Sequence, residues 1–279
     1  MSQGRTQERP QDRPLDRPQE TPQGKSPILI SLSSFGAVEV RRHGQLWFLR
    51  LAHLAGADGV EVRGELLVDA ERELPALAEA AQQAGLLRVY SSPEGLWSDA
   101  GALDSAALAR GLTAAASLGA PRLKISIGGF TRASHDTLRE LRAHLAETPI
   151  ELVIENDQTA GAGTLAALQT FFGAARERGL ATGMTFDMGN WHWTGECPLQ
   201  AAQALAPEVR YVHCKGVQRL PRSWVAVPLI DSAAPWRAVL RAMPAGVPWA
   251  IEYPLVGDDL LEVTRSQVEQ LRALAGSPM

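Results

Sequence analysis

Cysteine is scarce: Cys197 and Cys214 are the only two. They have neither zinc-site spacing nor the pattern of a disulfide framework, which fits a reducing compartment, and a cytoplasmic location is expected. Long apolar runs are missing as well. None approaches the roughly 20 residues that span a bilayer, so no membrane partner is expected. Nor is there a basic surplus. Lys and Arg number 27 against 31 Asp and Glu, and this slightly acidic balance lacks the footprint of a nucleic-acid binder. Glycine is absent where a nucleotide-binding sheet would need it, because "SLSSFGAVEV" after the first apolar run holds no glycine-rich phosphate turn. Apolar residues are themselves lacking in residues 1–26, "MSQGRTQERPQDRPLDRPQETPQGKS". Such a segment cannot bury enough surface to offset chain entropy and is expected to be a disordered tail. It has no signal-peptide core, and its acids argue against a transit peptide.

What is present from Pro27 onward is a regular alternation. Eight short apolar runs read as strands: residues 28–33, 58–63, 86–92, 122–127, 150–156, 182–188, 209–215 and 248–254. Ala/Leu-rich amphipathic stretches separate them. Two begin with Ser105 and Ser134, residues suited to cap a helix N-terminus, and the last opens on Asp258 and Asp259. Buried strands alternating with helices imply a parallel sheet covered by helices. Eight such units in about 250 residues match a closed (β/α)8 TIM barrel. Residues 27–279 are therefore expected to form a single domain.

Active sites of such barrels lie at the C-terminal ends of the strands. Strands five to eight end alike, in "LVIE", "MTFD", "RYVH" and "WAIE", which bring Glu155, Asp187, His213 and Glu252 to one rim. Their separations of 32, 26 and 39 residues are each about one strand-helix unit. Taken singly, an acid at a strand end is an ordinary helix cap or surface ion pair. Three carboxylates and an imidazole together repel one another unless a counter-charge is present. One divalent cation supplies it, and oxygen donors with a single nitrogen suit Mn, Mg, Co or Zn.

The order Glu, Asp, His, Glu, with "DGVEVR", "VIEN", "TFDMGN", "YVHCKG" and "AIEYPL" around it, resembles the xylose isomerase-like TIM barrels. That group includes the sugar phosphate isomerases/epimerases, ketose 3-epimerases, hydroxypyruvate isomerase, inosose dehydratase and endonuclease IV (the AP endonuclease family 2-like proteins). The likeness runs from Ile28 to about Leu274. It implies one divalent metal ion held by Glu155, Asp187, His213 and Glu252. It also implies that Glu155 and Glu252 are an acid/base pair that moves a proton beside a carbonyl through a metal-stabilised enediolate. The substrate implied is a small sugar, sugar phosphate or keto compound. A lyase of the inosose dehydratase kind would use the same proton abstraction, and a non-catalytic sugar-binding barrel is a third reading. Relatives are often dimers or tetramers, so a homo-oligomer stays open, although no stretch here specifies an interface.

One departure stands out. Many relatives carry His three residues after the strand-six Asp; here Asn190 stands there, an amide that cannot serve as a base. His192 is close in sequence, but its shifted position makes it a weak substitute. Lys124, unusual inside a strand, is expected to meet a substrate carboxylate, phosphate or carbonyl, or else to form a buried ion pair. Of Glu61 and Arg63, only one is expected to point inward, and Glu61 is taken as the substrate contact. Lys215 shares a face with His213. Asn156 and Gln158 follow Glu155 and are candidates to position hydroxyls, and Trp191, with Trp193 and Trp224, is a candidate platform for a sugar. The three-metal cluster of endonuclease IV is not expected: the chain has six histidines, most of them in helices or loops, and no Asp-x-His follows His213.

Overall fold

The computed structural model describes residues 25–277. The expectation of a disordered tail over residues 1–26 lies outside the described residues except at Lys25 and Ser26.

Eight parallel strands close into a barrel. They are β1 (Ile28–Ser31), β2 (Gly59–Arg63), β3 (Leu87–Trp97), β4 (Arg122–Gly128), β5 (Glu151–Glu155), β6 (Gly183–Asp187), β7 (Val209–Cys214) and, last in the chain, Trp249–Ile251. Two further strands intervene, β8 (Gly216–Arg219) and β9 (Trp224–Val227), which makes the closing barrel strand β10. The fold is a (β/α)8 TIM barrel, in which β10 pairs with both β7 and β1 and so removes any sheet edge. Every residue of β1 and of β6 is buried, as expected of strands covered by helices on one side and by the barrel interior on the other.

Alternation along the strands sets up the site. Residues two apart share a face. Leu29, Val89, Tyr211 and Ala250 form a small apolar cluster of their own. Leu29, Tyr211 and Ala250 lie two residues before Ser31, His213 and Glu252. On β1, β7 and β10 the bore is therefore lined by an apolar residue one step before the polar or charged one. The large remaining core lies between the sheet and the outer helices, built from residues such as Ile30, Val62, Leu123, Phe171, Phe186 and Trp191.

Several local expectations are corrected. Ser105 does not cap its helix, Ser105–Leu118; Asp104 does, accepting from the Ala107 N–H at 2.8 Å. Aspartate is at least as good a cap, and it stands one residue earlier. Ser134 lies inside a 3-10 turn, Arg132–Thr137, where its hydroxyl accepts from the Thr131 N–H and donates to the Gly101 carbonyl. The last helix, Leu260–Ala275, is by contrast capped by Asp259, as expected. β3 runs on to Trp97, past the expected end at residue 92, with a register shift between Ser91 and Gly95. The eighth barrel strand is shorter than expected, so Glu252 sits one residue beyond it.

The antiparallel hairpin β8–β9 is an addition to the expected eight strands. It leaves the barrel immediately after β7, at the rim where the four strand-end residues meet. Gly216 permits the close crossing, since a Cβ there would lie 2.6 Å from the Pro228 carbonyl oxygen. Both cysteines are free thiols, Cys197 exposed and Cys214 buried. No described helix is long and apolar enough to cross a membrane.

Candidate metal centre

Glu155, Asp187, His213 and Glu252 converge. One donor atom from each lies within 4.8 Å of every other. The register brings them together, with Asp187 of β6 directly beside His213 of β7 and Ala250, two residues before Glu252, beside His213 on the other side.

In each of the four, a protein contact holds one atom of the functional group and leaves the other turned inward. Asp187 Oδ1 accepts from the backbone N–H groups of Gly189 and Asn190 at 2.8 and 2.9 Å, which leaves Oδ2. His213 Nε2 lies 2.7 Å from Glu61 Oε2, which leaves Nδ1. Glu252 Oε1 accepts from Arg63 Nη1 at 2.7 Å, which leaves Oε2. Glu155 Oε2 accepts from Lys124 Nζ at 2.6 Å, which leaves Oε1. The four atoms left over face one another: His213 Nδ1 is 2.9 Å from Glu155 Oε1, 2.8 Å from Glu252 Oε2 and 3.7 Å from Asp187 Oδ2. Three oxygens and one nitrogen so arranged fit a hard or borderline divalent cation such as Mn, Mg, Co or Zn.

The surrounding charges are densely paired. Glu61 is fully buried beneath His213 and meets Lys124 at 3.3 Å and Arg63 at 3.0 Å. Lys215 Nζ reaches Asp187 Oδ2 at 2.6 Å and Glu252 Oε2 at 2.8 Å. Burial works against every ionised group here, and neighbouring charges decide the outcome. Burial opposes the Glu155 and Glu252 carboxylates, yet Lys124 and His213 hold the first below the usual range, and His213 and Lys215 hold the second well below it. Burial likewise opposes the His213 imidazolium, but Glu252, Glu61 and Glu155 raise it well above its ordinary value. Lys215 is held protonated against burial by Asp187 and Glu252. Asp187 is the exception: burial pushes it up, only partly opposed by Lys215.

The two glutamates are the accessible members of the quartet. Their side chains are 16% and 11% exposed, against 0% for Asp187 and His213. Arg63 and Lys215 beside them are exposed to a similar degree, 17% and 10%.

The other expected site residues divide into three groups. Lys124 forms the buried ion pair, and Lys215 shares the site with His213 as its spacing implied. Glu61 and Arg63 both point inward, because positions two apart lie on the same face of a strand; the expectation that only one would do so is corrected. Glu61 is covered by His213 rather than open to a substrate.

Asn156, Asn190 and Gln158 are joined to one another and to the backbone. Asn156 brackets Asp187, donating to its carbonyl at 3.0 Å and accepting from its N–H at 2.8 Å. Asn190 donates to the Asn156 carbonyl and accepts from Gln158 and Lys215. These amides lock the β5 and β6 ends together, and among them only Gln158 is exposed. Trp191 is wholly buried with its ring 5.4 Å from that of Phe186, so it belongs to the core and presents no face to a sugar. Trp224 instead reaches the rim from β9, its ring 4.7 Å from that of His192 and 4.9 Å from the Arg219 guanidinium. Burial lowers the His192 imidazole. Sequence reasoning missed the part played by Arg63 in fixing Glu252; its place two residues after Glu61 was the available signal.

Comparison with solved structures finds the same barrel at low identity. The probable 3-DHS dehydratase involved in petrobactin synthesis from Bacillus anthracis aligns with a TM-score of 0.64 at 13% identity, over 88% of this chain and 98% of that one. A xylose isomerase domain protein from Alicyclobacillus acidocaldarius aligns at 0.61 and 21% identity, over 90% and 99% of the two chains. D-allulose 3-epimerase from Methylomonas sp. aligns at 0.62 and 15% identity, over 90% and 97%. No protein-family model and no curated protein sequence matches the chain. What is shared is the (β/α)8 barrel fold.

Proposed function

We propose that this chain is a divalent-metal-dependent isomerase or epimerase of a sugar, sugar phosphate or related keto compound. The observation that carries the reading is the set of four inward donor atoms on Glu155, Asp187, His213 and Glu252, each with its partner atom held by a separate protein contact. When bound, the cation would polarise a substrate carbonyl and spread its developing negative charge. Glu155 and Glu252, the two accessible members, then move the proton. One takes it from the carbon beside the carbonyl, and the other returns it to the enediolate at the neighbouring carbon or on the opposite face. Lys124 on Glu155 and Arg63 on Glu252 fix the carboxylate planes by holding the oxygens that face away from the common centre. Asp187 and His213, fully buried, have no access to a substrate proton and serve as ligands. Likeness to the 3-DHS dehydratase supports a second reading, in which the same abstraction is followed by loss of a hydroxyl group.

The test is hydrogen exchange. Protein loaded with Mn or Co is incubated in deuterated water with a panel of ketoses, ketose phosphates and hydroxy keto acids, and each is followed by NMR. Deuterium at a carbon beside the carbonyl, with an epimer or isomer formed, supports the proposal. Deuterium with loss of water selects the dehydratase. Binding with no exchange for any compound would leave a binding protein and contradict the enzymatic reading.

A further inference from the structure

Three cations of the protein touch the quartet, and they touch it differently. Lys124 and Arg63 hold Glu155 Oε2 and Glu252 Oε1, the oxygens turned away from the common centre. Lys215 alone among them holds inward oxygens, Asp187 Oδ2 and Glu252 Oε2, at 2.6 and 2.8 Å. Its ammonium is thus bonded to two of the four atoms that a metal would need. The position is built for it. The Lys215 stem passes over Gly189, where an added Cβ would lie 2.7 Å from Lys215 Cδ and 2.8 Å from Cγ. Gly189 has an ordinary φ of −86°, so its lack of a side chain answers to space rather than to backbone conformation. Asn190 Oδ1 adds a third acceptor at 3.1 Å.

We propose that Lys215, seated across Gly189, is a built-in competitor for the metal: its ammonium and a divalent cation contend for Asp187 Oδ2 and Glu252 Oε2, which weakens metal binding and makes it exchangeable. This rests on the metal reading above. An ammonium and a dication sharing the same two oxygens repel at close range in a buried setting, where charge interactions are strong. Entry of the ion therefore requires the Lys215 side chain to withdraw from at least one of them. Removing the positive charge while keeping the stem should tighten metal binding, whereas deleting a group that orients a ligand would weaken it.

The experiment is calorimetric titration of Mn2+ into full-length protein stripped with chelator, at fixed pH and salt, for wild type, K215M and G189A. K215M is expected to bind Mn2+ about tenfold more tightly or better, a difference of about 1.4 kcal/mol. G189A, whose new methyl group pushes the Lys215 stem aside, is expected to shift in the same direction even if K215M fails to fold. The double variant should bind no more tightly than K215M, since both act on one contact. Mn2+ binding in wild type with equal or weaker binding in K215M would overturn the competition and leave the metal centre standing. No binding in wild type or in either variant would overturn both.

Discussion

Glu61 Oε2 lies 2.7 Å from His213 Nε2, with both side chains wholly buried. Glu61 is itself held ionised, since Lys124 and Arg63 flank it and His213 faces it. A carboxylate in that state can only accept, so the imidazole donates from Nε2 and Nδ1 is the atom that faces the carboxylates of the site. A carboxylate behind a ligating histidine fixes its ring and raises its basicity. Glu61→Gln should therefore keep the fold but weaken divalent-metal binding by about 10–100-fold, as read by titration. Unchanged affinity would show that Glu61 serves the barrel interior alone.

The assigned acid/base pair is tested by Glu155→Gln and Glu252→Gln. Each should leave the circular dichroism spectrum unchanged and lower turnover by about 10²–10⁴-fold, the range of general acid/base catalysis. Metal content measured alongside separates loss of a proton carrier from loss of a ligand. Wild-type turnover in either variant would refute that assignment.

Trp191 reads in the sequence as a face for a sugar, yet it lies in the core. Trp191→Ala should destabilise the fold by about 3–5 kcal/mol in denaturant unfolding, the cost of emptying a buried aromatic site. Trp191→Phe should recover most of that and leave KM for the substrate unchanged. A raised KM with normal stability would return the residue to the binding site.

Acid should unfold the protein through its paired carboxylates. Glu61, Glu155 and Glu252 all sit below the ordinary range despite burial, held there chiefly by His213, Lys124 and Lys215. A group lowered in the folded state contributes stability that is present above its unfolded pKa, about 4.3, and is lost as pH falls through the folded value. Asp187, raised by burial, runs the other way and partly offsets this. The unfolding temperature of chelator-treated protein should hold from about pH 6 to 8 and drop below about pH 4, less steeply in Glu252→Gln than in wild type. Identical acid limbs in the two proteins would contradict the pairing.

Much of this was legible in the sequence, and the reasons are physical. A parallel barrel buries both faces of its strands, so "LVIE", "MTFD" and "RYVH" announce themselves as apolar runs that end in a costly polar residue. The positions of Glu155, Asp187, His213 and Glu252 came from that, and their convergence depends only on strand order. What was hidden depends on partners distant in sequence. The Lys124–Glu155, Arg63–Glu252 and His213–Glu61 contacts join strands 31, 189 and 152 residues apart. Asn156 was legible as a polar residue after a strand, but its use of both amide atoms on the Asp187 backbone could not be read from spacing. The β8–β9 hairpin is hidden because "GVQR" has a single strongly apolar residue, Val217, and ends exposed, so it does not read as a buried apolar run and leaves "WVAV" without a visible partner.

The central claim is that the four inward donor atoms hold a metal, and elemental analysis tests it most directly. Protein purified without chelator is measured beside an Asp187→Ala variant of confirmed fold. About one Mn, Mg, Co or Zn ion per chain in wild type, lost in the variant, is the predicted result. No metal in the wild type, even after equilibration with each of these ions, would contradict it. Lys124, Arg63 and Lys215, with a protonated His213, would then be the counter-charge of the site.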